Sequence, residues 1–405
     1  MPPEGGTTNK TPVVPALIRG RGLMSNDFRT ADHGERRQRL AQSLAADSVD
    51  VLLVTNPVNV TYLTGFSGES SYLILGRDRA VLVSDGRFTE QLAEECPGLD
   101  VFIRPPVKTL PEATAEVLGK FGARGASFEA GHLTVGEFET LSGLTPALSW
   151  QPSRDRVERL RALKDAWEVE QIRQAVRIAE RAFAMFRAML EPDDSEKELS
   201  DALEAYVRRA GGRCSSFPAI VAVGERAALP HAPPTTKKVA EAGLLLVDWG
   251  ASGPFYKSDL TRVLATRTTS TRPPSPNGGA DDAKLEAVYA VVLEAQRQAI
   301  ASVRPGVKAG EVDSAARSVI AQAGYGDYFT HSTGHGLGLQ VHEAPLLKPG
   351  SEVVLEVGMV VTIEPGIYLP SWGGVRIEDD VLITPDGCEV LTSVPKDLAS
   401  MTVAY

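Results

Sequence analysis

Short apolar runs alternate with longer amphipathic runs over the first 150 residues of the chain. Runs rich in Val, Leu and Ile are typical of buried strands, and the amphipathic runs between them are typical of helices. We predict strands at 51–55, 72–75, 80–84, 101–103 and 126–128, and helices at 36–46, 88–95 and 111–121. Strands interleaved with helices indicate an α/β domain, which we place at residues 29–152.

The pattern changes after residue 152. A charged stretch without Gly or Pro predicts a helix over residues 157–190, and Asp194 or Ser195 is a candidate cap for a second helix that ends at Arg209. β-Rich segments at 219–223, 244–249, 262–266, 359–368 and 375–383 then alternate with helices at 283–303 and 312–323, and a surface loop is predicted at 268–282. This order favours an α+β domain at residues 153–405, built on an antiparallel sheet.

Composition narrows the classes of function. The chain of 405 residues has 42 Lys and Arg against 52 Asp and Glu, a net charge of −10, so we exclude nucleic acid as the main partner. No run of consecutive apolar residues approaches the length of ~18–20 residues that a membrane-spanning helix needs. Three widely spaced cysteines fit no disulfide framework, which favours a cytoplasmic location. Residues 1–28, rich in Pro, Gly and Thr, are predicted to be a disordered tail.

Acidic residues occur in two segments that have the pattern of β-hairpins. A turn centred on the Gly-Pro pair of the first segment places Asp248 directly opposite Asp259, and a turn centred on Ser371 places Glu364 opposite Glu378. Like charges that face each other destabilise a sheet, and a carboxylate pair that leaves water needs a cation nearby. Because the pattern occurs twice in one domain, we favour a cation site over merely solvated acids.

The segment HSTGHGLGLQVHE, residues 331–343, lies between the two hairpins. His331 and His335 have the spacing of zinc ligands on a helix, but the three glycines favour a loop or an irregular strand and no HExxH is present. Alternating glycines without a preceding strand and a following helix do not indicate a dinucleotide site. Three histidines among glycines, which let backbone approach a ligand closely, indicate a ligand site.

Four carboxylates and one imidazole form a suitable donor set for two divalent cations. A site dominated by oxygen suits Mn²⁺, Co²⁺ or Zn²⁺, and no candidate thiolate ligands are present. Two cations about 3.5–4 Å apart supply a hydroxide nucleophile near neutral pH. The residues therefore predict a hydrolase.

The motifs VDWG, YKSDLTR, HSTGHGLGLQVHE, EPGIY and GVRIEDD occur in an order that resembles the Xaa-Pro-cleaving metallopeptidases with the pita-bread fold, aminopeptidase P and prolidase. The resemblance covers the chain from about Val157 to its end, together with the N-terminal α/β domain. It implies a catalytic domain with a curved antiparallel sheet, a homodimer, and Xaa-Pro peptides or dipeptides as substrates. It also implies two divalent metal ions per subunit, with Mn²⁺ as the first expectation and Co²⁺ or Zn²⁺ as alternatives.

The resemblance further implies roles for individual residues. The implied metal ligands are Asp248, Asp259, His335, Glu364 and Glu378, with Asp259 and Glu378 bridging and Glu364 also acting as general base. His231, in the segment PHAPPT, lines the substrate pocket and counts with His342 and Glu364 as catalytic. His342 matches the histidine that steadies the tetrahedral intermediate, and His331 matches a position in the substrate pocket.

Arg376 resembles the arginine near the carboxyl end of the substrate; an ion pair with Glu378 or Asp379 is an equal alternative. Tyr256 and Thr261 are candidates to hold the ligands in place, or are plain strand residues. The stretch at 224–227 departs from the family pattern beside His231, so we expect a difference in the substrate pocket there.

Three other functions fit parts of this pattern. A methionine aminopeptidase shares the catalytic fold but lacks the N-terminal domain and the PHAPPT segment. A creatinase-like amidinohydrolase binds no metal, and a non-enzymatic peptide-binding relative would have lost ligands. All five ligand positions are filled here, which favours the peptidase. Whether it is an aminopeptidase or a dipeptidase stays open.

Overall fold

The structure is a computed structural model that describes residues 31–46, 49–267 and 278–404. The predicted tail at 1–28 and residues 268–277 of the predicted loop lie outside the described residues. Residues 278–282 were also predicted as loop, but they form the first turn of a long helix.

The N-terminal half forms one mixed sheet with helices. Its elements in chain order are α1 (His33–Ala46), β1 (Val51–Val54), α2 (Pro57–Thr64), β2 (Tyr72–Gly76), β3 (Ala80–Asp85), α3 (Thr89–Glu95), β4 (Asp100–Arg104), α4 (Leu110–Gly119), β5 (Gly125–Glu129), α5 (Val135–Leu144) and β6 (Ser149–Ser153). The strand order is β4-β3-β2-β1-β5-β6, with β2 antiparallel to both of its neighbours and the other pairs parallel. The predicted α/β class is correct.

Three elements of this half were not predicted from the sequence pattern. Helix α2 is buried from Asn59 to Thr64, so its faces show no polar and apolar stripe. Strand β6 is a largely exposed edge strand that contains Pro152, and proline is tolerated at an edge. Helix α5 has a single fully buried residue, Leu141, and gives an equally weak signal.

The chain beyond residue 155 contains the remaining elements. These are α6 (Arg156–Ala162), α7 (Ala166–Ala188), α8 (Glu196–Arg209), β7 (Cys214–Ser215), β8 (Ile220–Val223), β9 (Leu244–Trp249), β10 (Ala251–Ser252), β11 (Leu260–Arg267), α9 (Gly278–Ser302), α10 (Ala309–Gln322), β12 (Gly334–Gly336), β13 (Glu343–Leu347), β14 (Val360–Ile363), β15 (Gly366–Leu369), β16 (Gly373–Arg376), β17 (Asp379–Thr384), β18 (Gly387–Val390) and β19 (Thr402–Ala404). Most of the strands are antiparallel, in sheets ordered β19-β11-β9-β8 and β13-β12-β14-β17-β18, with small pairs β10-β7 and β15-β16.

The predicted helix at 157–190 is two helices, α6 and α7. Asp165 caps α7 by accepting a hydrogen bond from the backbone N–H of Glu168, while Glu168 bonds back to the N–H of Asp165. This capping box ends any continuous helix before it. The backbone N–H of Lys164 donates to the carbonyl of Gly358 instead, which fixes the break against the C-terminal half.

Two predicted strands are also divided, and the divisions position acids. The segment 359–368 forms β14 and β15, separated at Glu364, and the segment 375–383 forms β16 and β17, separated at Glu378. Both halves keep the predicted register, because Ile363 pairs with Asp379 and Gly366 pairs with Arg376. The prediction that Glu364 and Glu378 occupy opposed positions is therefore correct.

The register predicted for the first hairpin is wrong by two residues. Asp248 pairs with Thr261, not with Asp259. The turn spans Gly253 to Tyr256, where the N–H of Gly253 donates to the carbonyl of Tyr256, so its centre lies one position later than predicted. Asp259 is two residues from Thr261, and a shift of two keeps it on the same face as Asp248.

Helices α9 and α10 pack on one face of the sheets of the C-terminal half, and α7 and α8 cover the other strands. A further cluster of buried apolar residues joins the N-terminal half to α6, α7 and the segment after β12 that contains Leu337. Among the described residues, no helix is long and apolar enough to cross a membrane.

Candidate active site

A cavity of about 890 Å³ in the C-terminal half is lined by all nine residues that the sequence assigns to metal binding, catalysis or substrate contact. The residues are His231, Asp248, Asp259, His331, His335, His342, Glu364, Arg376 and Glu378. They come from β9, β12, β16 and the loops between strands, and Asp259 immediately precedes β11. The rest of the wall is mainly apolar and includes Phe217, Ile220, Val341 and Leu346.

The donor atoms of Asp259, His335 and Glu378 lie within 4.8 Å of one another, close enough to hold one metal ion. His335 Nε2 is 3.3 Å from Glu364 Oε1 and 3.7 Å from Asp259 Oδ2. His335 Nδ1 lies 3.1 Å from the carbonyl oxygen of Gly336, so Nδ1 carries the proton and the Nε2 lone pair faces the acids.

The acids of this group are held together at an electrostatic cost. Burial, together with the other carboxylates, raises the pKa of Asp259 and of Glu378 well above the ordinary range. Burial raises the pKa of Glu364 to about 8, and lowers that of His335 to about 4, which keeps the imidazole neutral. Neutral imidazole and clustered carboxylates are the forms that divalent cations bind.

An unused acceptor atom also points to a cation. Asp248 Oδ2 accepts a hydrogen bond from Arg376, but the buried Oδ1 has no partner among the described residues. A buried polar atom without a partner is costly in a native protein unless an ion or water completes it. The chemistry of this donor set, oxygen with one nitrogen, suits Mn²⁺, Co²⁺ or Zn²⁺.

The glycines of segment 331–343 have a structural role that differs from the predicted one. A Cβ on Gly334 would lie 1.9 Å from the carbonyl oxygen of Thr362, and one on Gly336 would lie 2.1 Å from that of Ala344. The glycines therefore let β12 pack against its neighbouring strands, rather than bring backbone to a ligand. The hydroxyl of Thr362 accepts from the N–H of His335 and donates to Glu364 over 3.3 Å, so it orients two candidate ligands.

Arg376 is buried and does not take either pairing partner considered from the sequence. Its Nη2 donates to Asp248 Oδ2 over 2.5 Å, and its Nε donates to the hydroxyl of Thr261 over 2.9 Å. Thr261 in turn donates to Glu378 Oε2 over 2.6 Å. Arg376 thus touches one candidate ligand directly and a second through Thr261, and the hydroxyl of Thr261 holds Glu378 in place.

A chain of hydrogen bonds continues from Arg376 to His331. Arg376 Nη1 donates to the hydroxyl of Tyr368 over 2.7 Å, and that hydroxyl lies 2.8 Å from His331 Nε2. His331 Nδ1 lies 2.8 Å from the carbonyl oxygen of Ser332, so Nδ1 carries the proton and Nε2 accepts from Tyr368. Burial lowers the pKa of His331 to about 4.

Sequence reasoning missed two polar residues of this region, although both belong to motifs that it singled out. Tyr368 is the last residue of EPGIY, and Asp380 is the last of GVRIEDD. Asp380 is fully buried and accepts a hydrogen bond from the backbone N–H of Asp259 over 3.2 Å. Asp380 acts through Asp259, which is 121 residues away, and Tyr368 joins the nearby Arg376 to His331, which is 37 residues away.

Tyr256 does not hold a metal ligand. Its hydroxyl donates to Glu168 on α7 over 2.6 Å, and its ring packs edge to face against Trp167. The residue anchors the hairpin turn to α7, away from the cavity. The candidate role near the ligands therefore falls to Thr261 alone.

His231 and His342 lie at the exposed side of the cavity. The His342 ring packs edge to face on the His335 ring, with centroids 4.4 Å apart. The segment that carries His231 is fixed by the fully buried Glu196, which accepts hydrogen bonds from Arg226 and from the N–H and hydroxyl of Thr235. The stretch at 224–227 thus supports the segment of His231 through Arg226.

Comparison with known proteins identifies the family. Residues 170–385 match the family described as Metallopeptidase family M24, and residues 36–163 match the Creatinase/Prolidase N-terminal domain. The chain belongs to metallopeptidase family M24. The family assignment made from the motifs is confirmed, and so is the prediction of a peptidase with the pita-bread fold.

Individual M24 relatives are similar over nearly their whole length. The chain is 34% identical over 366 residues to the Xaa-Pro dipeptidase of Pyrococcus furiosus, which covers 90% of this chain and 99% of that protein. A solved Xaa-Pro dipeptidase from Bacillus anthracis superposes with a TM-score of 0.84 at 35% identity, over 92% and 100% of the two chains. An X-Pro aminopeptidase from Thermotoga maritima MSB8 gives 0.80 at 30% identity, over 91% and 100%.

Proposed function

We propose that this M24 peptidase is an Xaa-Pro dipeptidase that works with two divalent metal ions. The observation that carries the proposal is the convergence of four acids and one neutral imidazole in a single cavity. Burial opposes the ionisation of Asp259, Glu364 and Glu378, so cations are the simplest groups to compensate their charge.

The residues that would hold the two ions are Asp248, Asp259, His335, Glu364 and Glu378. The distances around His335 and the unpaired Oδ1 of Asp248 support this assignment. Mn²⁺ is the first metal to test, with Co²⁺ and Zn²⁺ as alternatives that suit the same donors.

When bound, two divalent cations lower the pKa of a water and so supply a hydroxide nucleophile near neutral pH. In our proposal Glu364, which lies 3.3 Å from His335 Nε2 in the same cavity, accepts the proton of the attacking water. His342 donates a hydrogen bond to the oxygen that becomes negative as the carbonyl is attacked.

The leaving group needs a proton as well. The bond before proline is a tertiary amide without an N–H, so the proline nitrogen must be protonated as the bond breaks. Glu364 holds a proton after it has activated the water and lies in the same cavity. We assign His231 and His331 to contacts with the substrate, and His231 is the candidate for a direct catalytic contact from the exposed side.

The cavity also supports a small substrate with an apolar residue. Its volume of about 890 Å³ is in the range of small-molecule sites, and Phe217, Ile220 and Val341 offer an apolar wall to a proline ring. We prefer the dipeptidase because Xaa-Pro dipeptidases from Pyrococcus furiosus and Bacillus anthracis are among the relatives. A homodimer and a cytoplasmic location stay predictions.

A comparison of three substrates tests the proposal. Chelator-treated protein is reloaded with Mn²⁺ and incubated with Ala-Pro, Ala-Pro-Ala and Ala-Ala, and the free amino acids are measured. We expect cleavage of Ala-Pro and little cleavage of the other two. Efficient cleavage of Ala-Pro-Ala would indicate an aminopeptidase, and cleavage of Ala-Ala at the rate of Ala-Pro would contradict the requirement for proline.

A further inference from the structure

Three charged side chains next to the cavity are buried but do not belong to the proposed metal ligands. Arg161 at the end of α6, Lys164 just after it, and Glu343 at the start of β13 have side-chain exposures of 2%, 1% and 5%. Arg161 Nη2 lies 2.5 Å from Glu343 Oε1, and Lys164 Nζ lies 3.5 Å from Glu343 Oε2. Buried charges are costly, so a cluster of this kind is expected to hold a particular part of the structure in place.

Glu343 closes the loop that carries His342. Its Oε1 also accepts a hydrogen bond from the backbone N–H of Gln340 over 2.9 Å, which bridges the loop from residue 340 to residue 343. The side chain of Gln340 accepts from Arg161 Nη2 over 2.8 Å. Both ends of the loop are thus fixed by the same guanidinium, and His342 lies between them.

The ring of His342 has no comparable anchor of its own. It is exposed at the cavity, it stacks edge to face on His335, and no hydrogen bond to it is found among the described residues. Its position therefore depends on the backbone of its loop. A displacement of about 1 Å in a catalytic group can lower a rate 10²-fold, so the anchor of this loop matters for catalysis.

The cluster also connects the N-terminal half to the cavity. Arg161 Nη1 donates to Asn59 Oδ1 over 2.7 Å, and Asn59 lies fully buried in α2. The amide of Asn59 donates to Glu129 in β5 and to Glu158 in α6, over 2.6 Å each. A continuous path of hydrogen bonds thus leads from the N-terminal sheet to the loop of His342.

We propose that Glu343, clamped by Arg161 and Lys164, is a positioning residue that sets the place of His342 in the active site and lets the N-terminal half contribute to catalysis. The proposal rests on the role assigned to His342 under the proposed function. Glu343 itself does not touch the reacting atoms; it acts through the loop.

The test is a double-mutant cycle on Ala-Pro hydrolysis with the Mn²⁺-loaded full-length protein. In Glu343→Gln, one carboxylate oxygen becomes an amide NH₂, which donates and cannot accept. Because Arg161, Gln340 and Lys164 all donate to Glu343, the variant should release the loop. We expect kcat to fall about 10- to 100-fold with little change in KM and in bound metal. In the double variant with His342→Ala, kcat should be no lower than in His342→Ala alone, because Glu343 acts through that side chain.

A matched control separates positioning from general damage. Glu389→Gln also removes a carboxylate that pairs with an arginine far away in sequence, since both Glu389 oxygens accept from Arg173 over 2.6 Å, but that pair is outside the cavity. It should leave kcat unchanged. Circular dichroism and bound metal are measured for each variant.

If Glu343→Gln is too unstable to purify, Arg161→Lys takes its place in the same cycle. Lysine keeps the charge but cannot bond Asn59, Gln340 and Glu343 together. For either folded variant, an unchanged kcat would overturn the inference. So would a double variant whose loss of kcat is the product of the losses in the variant and in His342→Ala. If the wild-type protein releases no proline from Ala-Pro, the proposed function fails. If it releases proline but the kcat losses of the two single variants multiply in the double variant, only the inference about Glu343 fails.

Discussion

Replacing Thr261 with Val should weaken metal binding without reshaping the site. The hydroxyl of Thr261 donates to Glu378 over 2.6 Å and accepts from Arg376 Nε over 2.9 Å. Valine has nearly the same shape but no hydroxyl. Glu378 therefore loses the donor that orients it, and the buried Nε of Arg376 loses its acceptor.

The size of the effect follows from these two bonds. A hydrogen bond to a charged group contributes about 1.5–3 kcal/mol, and a buried donor left unpaired costs about 1–3 kcal/mol. Loss of a group that orients a metal ligand lowers metal affinity about 10- to 100-fold in other proteins. We expect a rise of that size in the Mn²⁺ dissociation constant, and a fall of about 2–4 kcal/mol in the free energy of unfolding.

Calorimetric titration of Mn²⁺ into chelator-treated protein measures the affinity, and urea unfolding measures the stability. Thr266→Val is the matched control, because Thr266 lies on the same strand and its buried hydroxyl donates to the carbonyl of Ala242 over 2.8 Å. The control should lose stability but bind Mn²⁺ normally. If folded Thr261→Val binds Mn²⁺ as tightly as the control does, the positioning role of Thr261 is refuted.

Three further predictions concern ionisable groups. Asp259→Ala should abolish metal binding and activity together, measured by metal analysis and proline release; retained turnover would refute its assignment as a ligand. Chelator-treated protein should unfold at a lower temperature as the pH rises from 5 to 9, because burial raises the folded-state pKa of Glu364 to about 8 and ionisation then favours unfolding; a constant or rising Tm in calorimetry would contradict this. Glu168→Gln should reduce the fall in Tm that metal-loaded protein shows between pH 5 and 8. Burial raises the pKa of Glu168 to about 7 despite the nearby Arg36, so its ionisation in this range destabilises the folded state. Equal slopes of Tm against pH for the variant and the wild type would refute this prediction.

The two acidic hairpins show how far local patterns reach. The register of Glu364 and Glu378 follows from a turn centred on Ser371, a residue that adopts a positive φ of 62°. The first hairpin is displaced by two residues because Pro254 takes the second position of a four-residue turn, where its fixed φ fits. The displacement preserved the face of Asp248 and Asp259, so the predicted cluster of acids survived the wrong register.

Contacts between distant segments could not be predicted in the same way. The ion pair considered for Arg376 was with Glu378 or Asp379, but it pairs with Asp248, 128 residues away, and its contact with substrate stays a prediction. Arg161 reaches Glu343 across 182 residues. Such partners are chosen by tertiary packing, and neither the spacing nor the periodicity of the chain contains that information.

The most direct test of the account is a titration of Mn²⁺ into chelator-treated protein while proline release from Ala-Pro is measured. We predict no release without metal, and a rate that rises to a plateau when two ions are bound per chain. Proline release by metal-free protein, or none at saturating Mn²⁺, Co²⁺ and Zn²⁺, would contradict the claim that the buried acids and His335 form the catalytic metal centre of an Xaa-Pro peptidase.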